Sequence, residues 1–289
     1  MTNVYMCTMG NEKIEGKLCM NIMQKIWSKT RLYLVKAAGH IPGFFDGDDY
    51  YCNLCGKSSR IFLSYGTKSD AAIHMIGSGV RPHCECPRCF SHDRFRWVYE
   101  VLLRHTDIAS PERTRALRVL HIAAEPGIKE HLCGNRQDSK SLAPVEYLTG
   151  DLERIYSDVQ VDVTDMHQFP DESFDYFIIN HVMEHVPNEK AAMAEIHRVL
   201  KKDGVLFISF PMSLTAKTFE DPSITTPAGR REAYGQEDHV RLYGTDSKER
   251  LEAFGFEVQP LVAKEQLPES EVRRMALIPE DTIFMCKPV

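Results

Sequence analysis

Four cysteines fall in two C-x-x-C pairs, and thiolates at this spacing are typical zinc ligands. The pairs are Cys52–Cys55 and Cys86–Cys89, with 30 residues between them. Each pair presents two thiolates from one tight turn, and four thiolates satisfy tetrahedral zinc with no open position for water. The sequence therefore predicts a structural zinc site. Cys84 is a competing third ligand, and Cys86 is favoured because its spacing to Cys89 repeats that of the first pair.

The gap between the two pairs is longer than in most such sites. This favours a zinc ribbon with an elongated hairpin, built from Ile61–Tyr65 and the residues before Arg81. The apolar spacing of Asp93–Arg104 predicts a helix that packs the ribbon onto the next domain. Arg94 and Arg96 on this helix are expected on a solvated face or in pairs with acids, with phosphate binding as the lesser alternative.

A second group of reactive side chains consists of carboxylates that follow apolar runs. Asp151 comes directly after such a run, and Asp162 follows the next one along the chain. Apolar runs that alternate with helices predict a parallel sheet, which binds ligands at the carboxyl ends of its strands. Asp151 also lies 24 residues beyond Gly127, close to the spacing of a ribose-binding acid. The pattern predicts a nucleotide-type pocket.

Two histidines are candidates for acid–base work, because imidazole titrates near neutral pH. The segment His181-Val-Met-Glu184-His185 matches the H-x-x-E-H signature of a class of zinc proteases. We reject that interpretation because the segment follows a buried strand and the preceding acids already fit a cofactor pocket. His185 and His239 are the candidate general bases. For His181 and His185 a structural role, as a helix cap or bonded to a carbonyl, stays open.

The elements that must position these side chains alternate between strands and helices from Arg118 onward. A long segment, Met212–Thr245, interrupts the series and is predicted to form a lid over the acceptor. The predicted strands begin at Arg118 and continue at 145–151, 161–165, 174–181, 205–210, 256–261 and 282–287, with helices over 189–202 and 246–255.

From about Arg118 to Val289 these motifs resemble the class I S-adenosylmethionine-dependent methyltransferases. The resemblance implies a Rossmann-like seven-stranded α/β sheet and S-adenosyl-L-methionine as cofactor. It places the turn His121–Gly127 beneath the methionine part of the cofactor, Asp151 on the ribose and Asp162 at the adenine. The cofactor contacts that it implies are His121, Ala123, Glu125, Gly127, Asp151, Leu152, Asp162, Val163, Asn180 and His181.

The turn departs from the family pattern at three positions. Ala123 and Glu125 stand where the family has its first two glycines, and His121 stands where it has an acid. Glycine at such positions lets the backbone approach a ligand without a Cβ in the way. Either Glu125 contacts the amino group of the cofactor, or cofactor binding is impaired.

The predicted lid carries an unusually dense set of polar residues. Candidate contacts to a hydroxylated or carboxylated small molecule are Gln236, Asp238, Arg241 and Tyr243. In an extended segment, His239, Arg241 and Tyr243 would share one face, and Gln236 and Asp238 the other. A solvated loop is the alternative.

Length and composition set the wider frame. The 289 residues are 43% hydrophobic, enough for one large or two modest domains. We expect a helical segment over 1–50, the ribbon and its helix over 51–106, and the methyltransferase domain over 107–289 with the lid at 212–245. Nine cysteines, an odd number, and no secretory or membrane-spanning pattern favour reduced thiols and a cytoplasmic location.

Charge is distributed unevenly along the chain. Residues 1–118 contain 17 Lys and Arg against 11 Asp and Glu, and residues 119–289 contain 18 against 30. An acidic catalytic half disfavours a nucleic-acid partner.

The favoured function is methyl transfer to an oxygen or nitrogen of a small-molecule acceptor: a specialised metabolite, sugar or peptide. The alternatives are an RNA or protein methyltransferase that binds its substrate through the zinc module, and a non-catalytic binding protein. Homo-oligomer formation stays open.

Overall fold

The structure is a computed structural model that describes residues 34–35, 41, 43–66, 75–77, 79–133 and 144–289. The chain divides into two compact units, Met1–Asp46 and Gly47–Val289. In the first unit Leu34 and Val35 are helical, and most of the predicted N-terminal helical segment lies outside the described residues. Within the described ranges, no helix is both long enough and apolar enough to cross a membrane.

The cysteine-rich module contains two short antiparallel ribbons. Strand β1 (Tyr50–Cys52) pairs with β2 (Lys57–Ser59), and β3 (Leu63–Tyr65) pairs with β4 (Arg81–Glu85). The predicted elongated hairpin is therefore present. Its second strand begins at Arg81, whereas the sequence placed that strand before Arg81.

The next element, α1 (Asp93–His105), joins this module to the large sheet. The helix dipole favours an acidic residue in the first turn, here Asp93, and a basic residue in the last turn, here His105. Its buried face includes Trp97 and Leu102, which explains the apolar spacing that predicted it. Arg96 is fully buried in the same face, so the expectation of a solvated or acid-paired arginine is wrong at this position.

The catalytic half is built on a seven-stranded sheet in the order β10-β11-β9-β8-β5-β6-β7. Strands β5 to β9 are parallel to one another, and β11 is antiparallel to both of its neighbours. This confirms the predicted class of fold. The strands are β5 (Leu117–Ile122), β6 (Val145–Asp151), β7 (Val159–Gln160), β8 (Phe174–Asn180), β9 (Leu200–Ser209), β10 (Phe256–Val262) and β11 (Thr282–Pro288).

Helices cover both faces of the sheet, so its central strands are apolar on both sides. All seven residues of β8 are buried. Alternate residues of β8 enter different cores: Ile178 belongs to one apolar cluster and Ile179 to the other. The helices are α2 (Ile128–Cys133), α3 (Glu189–Val199), α4 (Pro227–Tyr234), α5 (Ser247–Glu252), α6 (Ala263–Gln266) and α7 (Glu269–Arg274).

Two predicted boundaries are wrong for local reasons. The predicted strand over Val161–Asp165 is a turn, because Oδ1 of Asp162 accepts hydrogen bonds from the amide and the hydroxyl of Thr164. The helix predicted to reach Lys202 ends at Val199, because Leu200 already pairs with Phe174 in the sheet. Asp162 therefore lies in a turn that follows β7, whose last residue is Gln160.

Candidate functional site

The four cysteines of the two C-x-x-C pairs converge on one point. The Sγ atoms of Cys52 and Cys89 are 3.6 Å apart, and those of Cys55 and Cys86 are 3.9 Å apart. Tetrahedral zinc with Zn–S bonds of about 2.3 Å would separate its sulfurs by about 3.8 Å. Among the described residues, the group of possible ligands contains Cys86 and not Cys84. The open choice between these two cysteines is thereby resolved in favour of Cys86.

Backbone conformation explains part of the unusual turn after β5. Ala123 has φ +48° and Gly127 has φ +87°, both in the left-handed region. Glycine adopts this region freely, whereas alanine does so at some cost. The turn therefore has the backbone conformation of a glycine-rich loop, although Ala123 at one of its left-handed positions carries a methyl group.

Glu125, the larger departure in this turn, forms a buried ion pair. Its Oε2 lies 2.8 Å from Nε2 of His121, and Nδ1 of that ring lies 2.8 Å from the hydroxyl of Tyr147. Burial raises the pKa of Glu125, but the hydrogen bond and charge of His121 outweigh it and hold that pKa below its usual value. Glu125 is only 6% exposed. Its carboxylate is thus held against His121 inside the protein.

The two predicted adenosine-binding acids lie at one edge of the sheet. Asp151 ends β6 and pairs in register with Gln160 of β7, two residues before Asp162. Oδ1 of Asp151 accepts a hydrogen bond of 3.0 Å from the Glu153 amide. Oδ2 makes no hydrogen bond within the described part of the chain, and Asp162 likewise uses only Oδ1. Each acid therefore has one oxygen available for a ligand.

The residues beside these acids differ in exposure. Leu152 is 65% exposed at the surface next to Asp151, and Val163 is buried in the core. Leu152 therefore presents most of its surface to solvent, and Val163 presents almost none.

Strand β8 ends in two polar residues at the same edge. Oδ1 of Asn180 accepts a hydrogen bond from the hydroxyl of Ser209, and its Nδ2 is buried without a partner among the described residues. His181 turns the chain with φ +53°, and its amide donates to the Ser209 carbonyl. Burial lowers the pKa of His181 well below its ordinary value. Its ring is therefore neutral at physiological pH.

The short 3-10 turn Met183–His185 and the lid bring three further side chains together, and we call Glu184, His185 and His239 the Glu184 cluster. One potential ligand atom from each lies within 4.8 Å of the others. Burial raises the pKa of Glu184 to about 8 and lowers that of His239. The two histidines that the sequence offered as bases are thus neighbours, although 53 residues lie between them.

His239, Arg241 and Tyr243 are buried and Gln236 and Asp238 are exposed, but Leu242 is buried as well, so burial does not alternate strictly along the lid. The polar atoms of the two inner residues Arg241 and Tyr243 are used within the protein. Arg241 donates to the carbonyls of Met183 and Val186 at 2.5 and 2.6 Å and also binds Glu220. The hydroxyl of Tyr243 donates to Glu189 at 2.7 Å.

These contacts give Arg241 and Tyr243 a different role from the predicted one. Both side chains are 1% exposed, and the arginine fixes the backbone of the turn that carries Glu184 and His185. They are positioned to support the Glu184 cluster, and their polar groups are not turned towards an acceptor. Burial of this kind could not be read from the sequence, where the same residues appear as a polar lid.

A cavity of about 1000 Å³ opens between the cysteine-rich module, the segment after β9 and the region around α7. The cavity reaches the candidate site at Gly77, which lies against the His181 ring. A Cβ added at Gly77 would lie 3.2 Å from Cε1 of His181. Its walls include Tyr50, Met75, Ile76, Arg81, Asp93, Ser213, Leu214, Val272, Leu277 and Ile278. Sequence reasoning missed this cavity because its walls come from segments far apart in the chain.

Comparison with known proteins gives the following matches. Residues 131–208 match the profile of a family described as a methyltransferase domain. No curated protein sequence matches the chain. Among solved structures, the CurJ carbon methyltransferase is 14% identical with a TM-score of 0.42, covering 67% of this chain and 53% of that one. A SAM-dependent methyltransferase from Archaeoglobus fulgidus is 16% identical with a TM-score of 0.40, covering 68% and 94%.

A further similar structure is the trans-methyltransferase CalH in complex with SAH. It is 15% identical with a TM-score of 0.38, and the alignment covers 60% of this chain and 52% of that one. The chain therefore spans about half the length of CurJ and of CalH.

The order of the sheet, with its antiparallel strand β11 inserted between β9 and β10, is that of the class I methyltransferases. The match to a methyltransferase-domain family covers residues 131–208 of this sheet-bearing region.

Proposed function

We propose that the protein transfers a methyl group from S-adenosylmethionine to an oxygen or nitrogen of a small molecule. The observation that carries the proposal is the position of Asp151 and Asp162, side by side at the carboxyl edge of the sheet, each with a free carboxylate oxygen. The two hydroxyl groups of a ribose and the amine of an adenine can each donate a hydrogen bond to a carboxylate oxygen.

The residues present fit the cofactor. The turn after β5 is left-handed at Ala123 and Gly127, and the Glu125 side chain is engaged by His121. The unpartnered Nδ2 of Asn180 supplies a donor at the end of β8. When bound, S-adenosylmethionine supplies a methyl carbon on a positively charged sulfur, which an acceptor lone pair displaces while the C–S electron pair passes to sulfur.

The chain itself has to orient the acceptor, exclude water and receive or hold its proton. We assign the acceptor to the cavity of about 1000 Å³ that adjoins His181, a volume at the upper end of ordinary small-molecule sites. The Glu184 cluster lies next to His181, since Oε1 of Glu184 is 3.7 Å from Nδ1 of that ring. It is the group of titratable residues placed to act on the acceptor.

We further propose that the four cysteines hold one structural zinc ion. The Sγ separations of 3.6 and 3.9 Å support this, and four thiolates leave no open position for catalysis. The module has only short strands, so metal binding would supply much of its folding free energy. The zinc would thereby fix the wall of the acceptor cavity that Tyr50 and Arg81 provide.

Calorimetric titration with S-adenosylhomocysteine tests the cofactor site. Asp151→Ala should weaken binding by about tenfold or more, because the charge-assisted hydrogen bond to its free oxygen is lost at about 1.5–3 kcal/mol. Asp171→Asn is the matched control: this exposed acid pairs with Arg198 and follows none of the strands at the cofactor edge. Unchanged affinity in the Asp151 variant, or an equal loss in the control, would contradict the assignment.

A further inference from the structure

The Glu184 cluster has the composition of a metal site as well as of a proton acceptor. It joins one carboxylate and two imidazoles, with one potential ligand atom from each within 4.8 Å of the others. The rings of His185 and His239 lie 4.6 Å apart at 85°, so they approach edge to face and do not stack. Two histidines and one carboxylate around open positions are a recurrent ligand set for divalent transition metals.

Both imidazoles are held in the orientation that a metal ligand needs. Nδ1 of His239 lies 3.0 Å from the carbonyl oxygen of Tyr234, which can only accept, so Nδ1 carries the proton. Nδ1 of His185 lies 3.2 Å from a carboxylate oxygen of Asp238 and is held in the same way. Metal-bound histidines nearly always donate their second N–H to a carbonyl or carboxylate. Each ring is left with an unprotonated Nε2.

The cluster also contains polar atoms that the protein does not satisfy. Glu184 is 2% exposed, and its Oε2 has no hydrogen-bond partner in the described part of the chain. Nε2 of His239 is buried and is equally without a partner there. Burying a carboxylate without a cation is unfavourable, so in the absence of an ion the Glu184 carboxyl group, whose pKa burial raises to about 8, holds a proton. A divalent ion between these atoms would satisfy both.

We propose that Glu184, His185 and His239 bind a divalent transition-metal ion, such as Zn²⁺, Mn²⁺ or Co²⁺, separate from the four-cysteine site. Ligand bonds of about 2.1 Å place ligand atoms about 3.0–3.4 Å apart, so separations of up to 4.8 Å must shorten by more than about 1 Å when the ion binds. Three protein ligands leave coordination positions open, and an oxygen of the acceptor would occupy one of them. This last role rests on the proposed function, whereas metal binding does not.

Cobalt titration tests the site in the full-length, zinc-loaded protein. Co²⁺ bound by nitrogen and oxygen ligands gives weak visible bands without thiolate charge transfer. Displacement of zinc from the cysteines would give strong near-ultraviolet absorption instead. We expect one Co²⁺ per chain beyond the zinc already present, without the thiolate signal.

Two variants and one control decide the assignment. Glu184→Gln keeps the shape of the side chain and His185→Ala changes a partly exposed residue, so both proteins should fold; each should weaken Co²⁺ binding by about tenfold or more. His167→Ala is the matched control, since Nδ1 of His167 also lies 3.0 Å from an aspartate oxygen, that of Asp165, outside the cluster. It should bind cobalt like the parent protein.

Other outcomes would overturn the proposal. One is that the protein binds no Co²⁺ beyond that held by the cysteines. The others are that both cluster variants bind Co²⁺ as tightly as the parent protein, or that the His167→Ala control loses as much Co²⁺ affinity as they do. S-adenosylhomocysteine binding, measured on the same proteins, separates the two proposals. If cofactor binding persists while cobalt binding is absent, the metal site fails and the methyltransferase assignment stands.

Discussion

Arg96 offers the sharpest test of how the cysteine-rich module is attached to the catalytic domain. Its guanidinium is fully buried and donates to the carbonyls of Met275 at 2.7 Å, Ser91 at 2.9 Å and Cys84 at 2.9 Å. One of these carbonyls belongs to the C-terminal region and two to the cysteine-rich module. Replacing Arg96 by methionine keeps the apolar stem and removes all three hydrogen bonds.

The size of the effect follows from these contacts. Each buried carbonyl left without a donor destabilises the fold by about 1–3 kcal/mol. Removing the buried cation also relieves its desolvation, which offsets part of that loss. We expect Arg96→Met to lower the free energy of unfolding by about 3–6 kcal/mol. Arg96→Lys should fall in between, because an ammonium group cannot reach three carbonyls that surround a planar fork.

Urea denaturation followed by far-ultraviolet circular dichroism measures this free energy. The control is Arg273→Met, since Arg273 forms an exposed pair with Glu269 and its loss should change stability by less than about 0.5 kcal/mol. A loss below about 1 kcal/mol in Arg96→Met, or equal stability of the methionine and lysine variants, would refute the reasoning.

Two further predictions concern Asp281 and the cysteines. Burial raises the pKa of Asp281 to about 7, against about 3.9 in an unfolded chain, so the folded state binds the proton more tightly. The contribution of Asp281 to the free energy of unfolding should therefore be fully present below about pH 4 and fall by roughly 4 kcal/mol as pH rises to 7; Asp281→Asn should remove that contribution from the pH profile in urea titrations, and an unchanged profile would contradict it. Cys55→Ser should contain about one zinc ion per chain less than the parent protein in elemental analysis, whereas Cys133→Ser, outside the four-cysteine group, should match the parent; an unchanged zinc content in the Cys55 variant would count against the site.

Much of the fold could be predicted because apolar runs mark strands that are buried on both sides. Strand β8 is such a run, and its observed bounds, Phe174–Asn180, agree with the predicted 174–181 to within one residue. The cysteine pairs were equally informative, because thiolates at that spacing have few other uses in a reduced protein. Signals of this kind depend on residue type and short-range order, which a single sequence records fully.

The roles of the buried polar residues could not be predicted in the same way. Glu125 and Arg241 are residue types that often contact ligands. In the structure, Glu125 pairs with His121, and Arg241 donates a hydrogen bond to the Met183 carbonyl. Which partner a charged side chain finds depends on contacts between distant segments. The contact between the rings of His185 and His239, and the cavity beside Gly77, likewise depend on contacts between distant segments.

A crystal structure of the complex with S-adenosylhomocysteine tests the central claim most directly. We predict the ribose hydroxyls at about 2.7 Å from the Asp151 carboxylate, the adenine beside Asp162, and Glu125 still paired with His121. A nucleoside bound away from the carboxyl edge of the sheet, or a Glu125 side chain occupying the turn and excluding it, would contradict the account.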